Sequence, residues 1–181
     1  PAMTREQALT AILTGVELAQ KTDADVFGIG EMGIGNTTTS AAVLSVLLGA
    51  DVEKVTGRGA GINDEGFLKK KNAIRKAIEI NQPDRNDVVD VLRKVGGFDL
   101  AAMCGGFIGS ALTHRPVVID GFISVVAALC AVRLCPLVRS YLVPSHASYE
   151  IGYRLAMEEL GLQPLFPFSY THLTLPTTNH V

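Results

Sequence analysis

Short apolar runs alternate along the chain with longer segments whose apolar residues recur at helical spacing. The short runs are rich in β-branched residues and predict strands at residues 25–29, 116–119 and 140–143, and a fourth strand beginning in 161–166. Helical spacing after a capping-box signal at Thr4 predicts a first helix to about Gln20. The regular exchange of the two patterns indicates that helices connect the strands.

Six further segments are predicted to be helical. They are residues 40–48, 66–80, 87–95, 100–111 with Asp99 as its cap, and 122–133, and a last helix ends near Leu160. In the second of these, Phe67, Ala73, Ala77 and Ile80 are the expected inward positions. Helices between parallel-type strands predict an α/β fold, a three-layer Rossmann-like sandwich with a mostly parallel sheet and helices on both faces, here incomplete.

A glycine-rich turn, residues 30–38, joins the first strand to the next helix. Gly33 and Gly35 can take positive φ, and Thr37 and Thr38 fall in the first helical turn, where backbone amides are unpaired. Such a turn makes an anion pocket, most naturally for phosphate. The spacing matches neither G-x-G-x-x-G nor the P-loop pattern. The alternative is a tight turn capped by threonine, which does not explain Glu31 between the glycines.

A second glycine cluster, defined as Gly57, Gly59 and Gly61, has glycine at every other position and indicates close backbone approach to another group. The following helix has a basic outer face. A solvated face is the usual meaning of such a run, although one lysine can turn toward a phosphate. The basic residues are Lys69, Lys70, Lys71, Arg75 and Lys76.

The turns after Ile29, Ile119 and Val143 should meet at one edge of the sheet, with the second glycine cluster beside them. Asp120 follows the second strand at its carboxyl end, where open parallel sheets bind ligands. Its alternative role is the N-cap of the next helix. His146 lies in a polar turn and is either an acid or base or a histidine bonded to the backbone.

Composition describes an ordinary globular chain with one core. The chain has 181 residues, 48% apolar and 19% charged, with a net charge of −2. The balanced charge argues against a nucleic-acid partner, and neither a membrane span nor a secretory signal is visible, so a cytoplasmic location is expected. Cys104, Cys130 and Cys135 lie in apolar helical contexts and indicate reduced core residues rather than disulfides or metal ligands. No cofactor or metal is predicted.

Several motifs together resemble nicotinate-nucleotide:dimethylbenzimidazole phosphoribosyltransferases, enzymes of cobalamin lower-ligand synthesis. The matching segments occur in the family's order and cover about residues 3–165. They are GEMGIGNTT at 30–38, VTGRG at 55–59 with Gly61, GGFD at 96–99, PVVIDGFI at 116–123, YL at 141–142 and SH at 145–146.

The resemblance implies transfer of ribose phosphate from nicotinate mononucleotide to dimethylbenzimidazole, giving α-ribazole phosphate and nicotinate, in a homodimer. Residues Gly33, Ile34, Gly35, Asn36, Thr37 and Thr38 would hold the phosphate, with Lys70 as a second phosphate contact. The second glycine cluster would leave room for ribose or base, and Asp120, Gly121 and Ser148 would complete the nucleotide side. Glu31 would lie near the reacting centre, where a carboxylate stabilises positive charge on the ribose and helps the attacking nitrogen lose its proton.

Two parts of the family's active site have no counterpart in this sequence. The family's base is a glutamate in a Gly-Glu-Gly-Thr/Ser-Gly motif, and the family also has a preceding portion that helps to form the benzimidazole pocket. We therefore expect an internal fragment: a partial nucleotide-binding domain at residues 1–166 and an unrelated tail at 167–181, which we interpret as artefactual in origin. Such a chain should bind the nucleotide weakly and turn over slowly or not at all. The alternatives are a non-catalytic phosphate- or nucleotide-binding module and, less favoured, another nicotinate-nucleotide transferase or a dehydrogenase.

Overall fold

A three-stranded parallel sheet forms the centre of the computed structural model, which describes residues 1–59 and 61–166. The strands are β1 (Phe27–Ile29), β2 (Val117–Ile119) and β3 (Leu142–Pro144), in the order β1-β2-β3. Phe27 pairs with Val117, and Val117 with Leu142, so the three carboxyl ends are level. The predicted α/β, Rossmann-like class with a parallel sheet is confirmed.

Helices connect these strands, as the apolar spacing predicted. In chain order they are α1 (Arg5–Lys21), α2 (Asn36–Leu48), α3 (Val52–Val55), α4 (Asp64–Asn81), α5 (Val88–Val95), α6 (Phe98–Leu112), α7 (Phe122–Leu134), a 3-10 helix (Pro136–Tyr141) and α8 (Ile151–Leu160). The capping box of α1 is confirmed, because Thr4 Oγ1 accepts from the Gln7 amide at 3.1 Å and Gln7 Oε1 accepts from the Thr4 amide at 2.9 Å. None of the described helices is both long enough and apolar enough to cross a bilayer.

One face of the sheet is buried more completely than the other. Val117, Ile119 and Leu142 are buried on the first face, and Gly106 of α6 lies so close to it that an ideal Cβ would be 2.9 Å from Ile29 Cδ1. On the second face Gly28 is exposed, and Val118 and Val143 are half-buried. The second face of the sheet is therefore the less covered one.

The helices α1 and α6 pack with their backbones in contact, as the glycine- and alanine-rich sequence of α6 predicts. An ideal Cβ at Gly105 would overlap the carbonyl oxygen of Ile12 and come within 2.7 Å of its carbon. Asp99 does not cap α6, contrary to our prediction. The helix begins one residue before it, at Phe98, with Gly97 at the cap and no side-chain cap bond. The Asp99 carboxylate instead contacts α2.

The inward positions predicted for α4 are only partly correct. Ile74 is its buried residue, Phe67 and Ala77 are half-buried, and Ala73 and Ile80 are exposed. At about 100° per residue, Ile74 returns to the face of Phe67 after two turns, whereas Ala73 and Ile80 point away from it.

The end of the chain differs from the predicted strands. Residues 140 and 141 belong to the 3-10 helix, and the fourth strand expected in 161–166 is a single parallel bridge between His146 and Phe166. Gly161 has φ +63 where α8 ends, and Pro164 has no amide hydrogen to donate to a ladder. The tail predicted at 167–181 lies outside the described residues.

Asp90 of α5 is a buried carboxylate with several hydrogen-bond and ion-pair partners. Its carboxylate accepts from the Asp84 amide at 2.9 Å and pairs with Arg93 at 2.6 Å and Lys94 at 2.9 Å. Burial alone would raise the pKa of Asp90, but these contacts outweigh it and lower the pKa to about 2.

The cysteines are free thiols, as predicted for core residues, with Cys104 and Cys130 buried and Cys135 half-buried. Burial raises the pKa of Cys130 to about 12, so this thiol stays protonated at neutral pH.

Candidate functional site

The carboxyl ends of the three strands meet at one edge, as the order of the motifs predicted. Ser124 of α7 ties two of these ends together, because its Oγ donates to the Ile29 carbonyl at 2.7 Å and accepts from the Asp120 amide at 3.2 Å. Asp120 is half-buried against Gly30, whose ideal Cβ would be 3.0 Å from Asp120 Oδ2. The capping alternative for Asp120 is wrong, since the N-cap of α7 is Gly121 and no side chain bonds to it.

The amino end of α2 opens to solvent at this edge. Gly35 is the N-cap with φ +86, the conformation that its sequence predicted. Within residues 1–59 and 61–166, the amides of Gly35, Asn36 and Thr37 have no acceptor, whereas the Thr38 amide donates to the Gly35 carbonyl at 3.0 Å. Residues 33–35 are exposed and 36–38 half-buried, so these donors are accessible.

Glu31 is held over this helix end by hydrogen bonds. Its Oε2 accepts from the Gly33 amide and from Asn36 Nδ2, both at 2.6 Å. Asn36 Nδ2 also donates to Asp99 Oδ2 at 3.0 Å, so one side-chain amide joins two carboxylates from distant parts of the chain. Asp99 is thus a residue of this site that the sequence analysis missed, although the GGFD motif contains it.

Lys70 is the basic residue of α4 that turns toward the two glycine-rich loops. Its Nζ donates to Thr37 Oγ1 at 2.8 Å and to the Gly57 carbonyl at 2.9 Å. Burial lowers the pKa of Lys70, and the nearby charge of Glu150 acts in the opposite direction. Three of the other four basic residues have surface contacts: Lys69 pairs with Glu65, Arg75 pairs with Glu53, and Lys71 lies over the ring of Phe67.

Two of the three glycines of the second glycine cluster, Gly57 and Gly59, pack closely against side chains. An ideal Cβ at Gly57 would overlap Oε2 of Glu150 and come within 2.6 Å of its Cδ. At Gly59, where φ is +60, an ideal Cβ would be 2.9 Å from Thr37 Oγ1. Gly61, with φ +92, has no described atom within 4 Å of that position, whereas the space beside Gly57 and Gly59 is occupied by the side chains of Glu150 and Thr37.

A cavity of about 660 Å³ opens beside this cluster. Its lining residues come from the loop before α4, from α4, from the loop before α8 and from the first residue of α8: Thr56, Gly57, Arg58, Gly59, Phe67, His146, Ser148, Tyr149, Glu150 and Ile151. Ser148 Oγ accepts from the Glu150 amide at 3.3 Å. The bonds of Lys70 to Thr37 and Gly57 connect this cavity with the amino end of α2.

His146 is enclosed by the protein, being 4% exposed. Its Nδ1 lies 2.9 Å from Ser145 Oγ, and its carbonyl accepts from Tyr153 Oη at 2.7 Å. These contacts favour the structural role over the catalytic one that the sequence left open.

Comparison with known proteins places these features in a family. A family model described as phosphoribosyltransferase matches residues 1–171. The chain is 53% identical over 167 residues to nicotinate-nucleotide–dimethylbenzimidazole phosphoribosyltransferase of Clostridium tetani, covering 91% of this chain and 46% of that protein. The same enzyme of Acetivibrio thermocellus is 49% identical over 168 residues, covering 91% of this chain and 48% of that protein. The chain thus spans about half the length of these relatives.

A solved structure shows the same fold. The crystal structure of CobT from Thermus thermophilus superposes with a TM-score of 0.87 at 38% sequence identity, covering 91% of this chain and 50% of that one. Sequence and fold agree with the resemblance seen in the motifs. The chain belongs to the family of nicotinate-nucleotide:dimethylbenzimidazole phosphoribosyltransferases.

Proposed function

We propose that this chain binds nicotinate mononucleotide and forms the nucleotide side of an enzyme that transfers its ribose phosphate to dimethylbenzimidazole. The products are α-ribazole phosphate and nicotinate, for the lower ligand of cobalamin. The observation that carries the proposal is the convergence of three amides, at Gly35, Asn36 and Thr37, which find no acceptor among the described residues, with the ammonium of Lys70. Backbone donors at a helix amino end and a nearby cation are a recurrent way to bind phosphate.

In this proposal the phosphate binds residues 33–38 and Lys70, while Gly61, Asp120, Gly121 and Ser148 border the ribose and the base. Gly57 and Gly59 support this site through their contacts with Glu150 and Thr37. The edge of the sheet that carries Asp120 is the edge where parallel α/β sheets bind ligands.

Glu31 supplies a carboxylate beside the proposed phosphate site, at Gly33 and Asn36. Departure of nicotinate leaves positive charge on the ribose, and a fixed carboxylate stabilises that charge better than a mobile one. Two short hydrogen bonds, from Gly33 and Asn36, fix the Glu31 carboxylate in the structure. The sequence contains no Gly-Glu-Gly motif, so we expect turnover to be lower than in a complete enzyme by about 10²- to 10⁴-fold, the usual contribution of a general base.

Calorimetric titration with nicotinate mononucleotide tests the binding half of the proposal. Lys70→Glu should weaken binding by about 30-fold or more, since it replaces a partly buried cation by an anion. Lys76→Glu on the exposed side of the same helix is the matched control and should leave binding unchanged. Equal losses in both variants would remove the special role of Lys70. A preference for NAD over the mononucleotide would instead favour a dinucleotide-binding protein.

The resemblance to the family also leads us to propose a cytoplasmic homodimer whose nucleotide-binding domain is residues 1–166, with 167–181 as a separate tail. Exposed leucines on α1 support an interface, namely Leu9, Leu13 and Leu18. Sedimentation equilibrium of the chain should give twice the mass of one copy, and a monomer at all concentrations would contradict the homodimer.

A further inference from the structure

Glu150 lies at the N-cap of α8 and does not cap it, because no side-chain hydrogen bond reaches that helix end. Its carboxylate crosses to the second glycine cluster, where Oε1 accepts from the Gly59 amide at 2.7 Å. Oε2 is buried and has no hydrogen-bond partner in the part of the chain that the structure describes. Burying a carboxylate oxygen without a hydrogen-bond donor lowers the stability of the fold, which indicates that Glu150 has a functional role.

The absence of a side chain at Gly57 leaves the space that this carboxylate occupies. Gly57 has no Cβ where Glu150 Oε2 and Cδ lie, and the backbone there is not in a conformation that requires glycine. Glycine at this position is therefore explained by the approach of Glu150. The carboxylate links α8 to the same loop whose Gly57 carbonyl accepts from Lys70.

In the described part of the chain, the elements around Lys70 are α2, the loop before α4 and the turn before α8. The described part of α2 carries no charged side chain, and the loop before α4 brings Arg58, which pairs with Asp64. From the turn before α8 come Glu150 and the titratable His146, which faces Ser145. Among these groups Glu150 is the anion whose charge favours the protonated form of Lys70, against the effect of burial on its pKa.

We propose that Glu150 is a positioning residue for nucleotide binding, which anchors the second glycine cluster against α2 and keeps Lys70 presented as a cation to the phosphate. This inference rests on the proposed function of the site. Glu150 acts through the Gly59 amide and through Lys70 and need not touch the nucleotide itself. The two parts of its role, the hydrogen bond and the charge, are separable by substitution.

The test uses the full 181-residue chain with Glu150→Gln and Glu150→Ala. Glutamine keeps an oxygen acceptor for the Gly59 amide and removes the charge, whereas alanine removes both. Glu158→Gln, on the exposed side of α8 and paired with Arg154, is the matched control. Two quantities are measured in each variant. They are the pH midpoint of the Lys70 ammonium by NMR without nucleotide, assigned by Lys70→Arg, and the affinity for nicotinate mononucleotide from about pH 8 to about pH 11, where the phosphate stays dianionic.

The expected result is a lower Lys70 midpoint in both Glu150 variants than in the unchanged chain, because the charge of Glu150 raises the pKa of Lys70. The alkaline loss of nucleotide affinity should move to lower pH by the same amount. At about pH 8, Glu150→Ala should bind about tenfold more weakly than the unchanged chain, and Glu150→Gln less than threefold more weakly. Glu158→Gln should match the unchanged chain in both measurements.

The outcomes separate the two proposals. An unshifted Lys70 midpoint in Glu150→Gln, or unchanged affinity in Glu150→Ala, would overturn the role of Glu150 even if the unchanged chain binds the nucleotide well. If the midpoint shifts but the unchanged chain does not bind nicotinate mononucleotide, the proposed function fails and the role in nucleotide binding fails with it.

Discussion

Replacing Gly57 by alanine tests the packing that joins the two glycine-rich loops. The new Cβ would overlap Glu150 Oε2 and lie 2.6 Å from Cδ, whereas carbon atoms in ordinary contact are about 3.5 Å apart or more. The carboxylate must therefore retreat by about 1 Å. The hydrogen bond between Glu150 Oε1 and the Gly59 amide, now 2.7 Å long, would then exceed hydrogen-bonding distance and be lost.

The energetic cost of Gly57→Ala follows from three terms. Loss of a charge-assisted hydrogen bond costs about 1.5–3 kcal/mol. Alanine returns about 0.4–1 kcal/mol by restricting the unfolded chain. Exposure of the unpaired Glu150 Oε2 to water recovers a further part, so the net loss of stability should be about 1 kcal/mol.

Urea denaturation of four chains measures this cost: the unchanged protein, Gly57→Ala, Glu150→Ala and the double variant. Because Glu150→Ala removes the clashing group, Gly57→Ala should cost less than about 0.5 kcal/mol in that background. Gly28→Ala is the control, since no atom of the described residues lies within 4 Å of its ideal Cβ, and it should not lower stability. Strictly additive effects of the two substitutions would refute the packing argument.

Three further predictions concern other parts of the molecule. Gly105→Ala should cost about 3 kcal/mol or more in urea denaturation, because its Cβ would overlap the backbone of Ile12, which cannot rotate away; a loss below about 1 kcal/mol would contradict the close approach of α1 and α6. Because the pKa of Asp90 is lowered to about 2, its ionised carboxylate should contribute about 2 kcal/mol to the free energy of unfolding above about pH 4, and this contribution should be lost as the pH falls toward 2. The difference in stability between Asp90→Asn and the unchanged chain should therefore shrink over that range, and a difference independent of pH would contradict this expectation. Asn36→Asp replaces the amide that donates to Glu31 and Asp99 by a third carboxylate, so it should destabilise the chain by about 1–3 kcal/mol at pH 7 and by less at about pH 5. An equal loss of stability at both pH values would contradict these contacts.

The location of the site was predictable from local sequence because its main parts are local. The turn of residues 30–38 contains its own glycines and its own helix start, and strand ends in a parallel sheet fall on one edge by construction. Lys70 was singled out among five basic residues by resemblance to the family, and the structure brings it to Thr37 and Gly57.

The residues that were missed owe their place to contacts across long sequence separations. Glu150 meets Gly59 from 91 positions away, and Asp99 meets Asn36 from 63 positions away. Glu150 and Asp99 both lie near the start of a helix, where an acidic residue ordinarily indicates an N-cap or a favourable helix dipole. Tertiary contacts overrode these local preferences, and no periodicity in the sequence records them.

The central claim is that the amide donors at the start of α2 hold the phosphate of a mononucleotide. The most direct measurement is an NMR titration that follows the amides of Gly35, Asn36 and Thr37 with nicotinate mononucleotide and with the riboside that lacks the phosphate. We expect large, saturable shifts of these three amides with the mononucleotide and small ones with the riboside at the same concentration. Equal shifts with both ligands, or shifts confined to other parts of the chain, would contradict it.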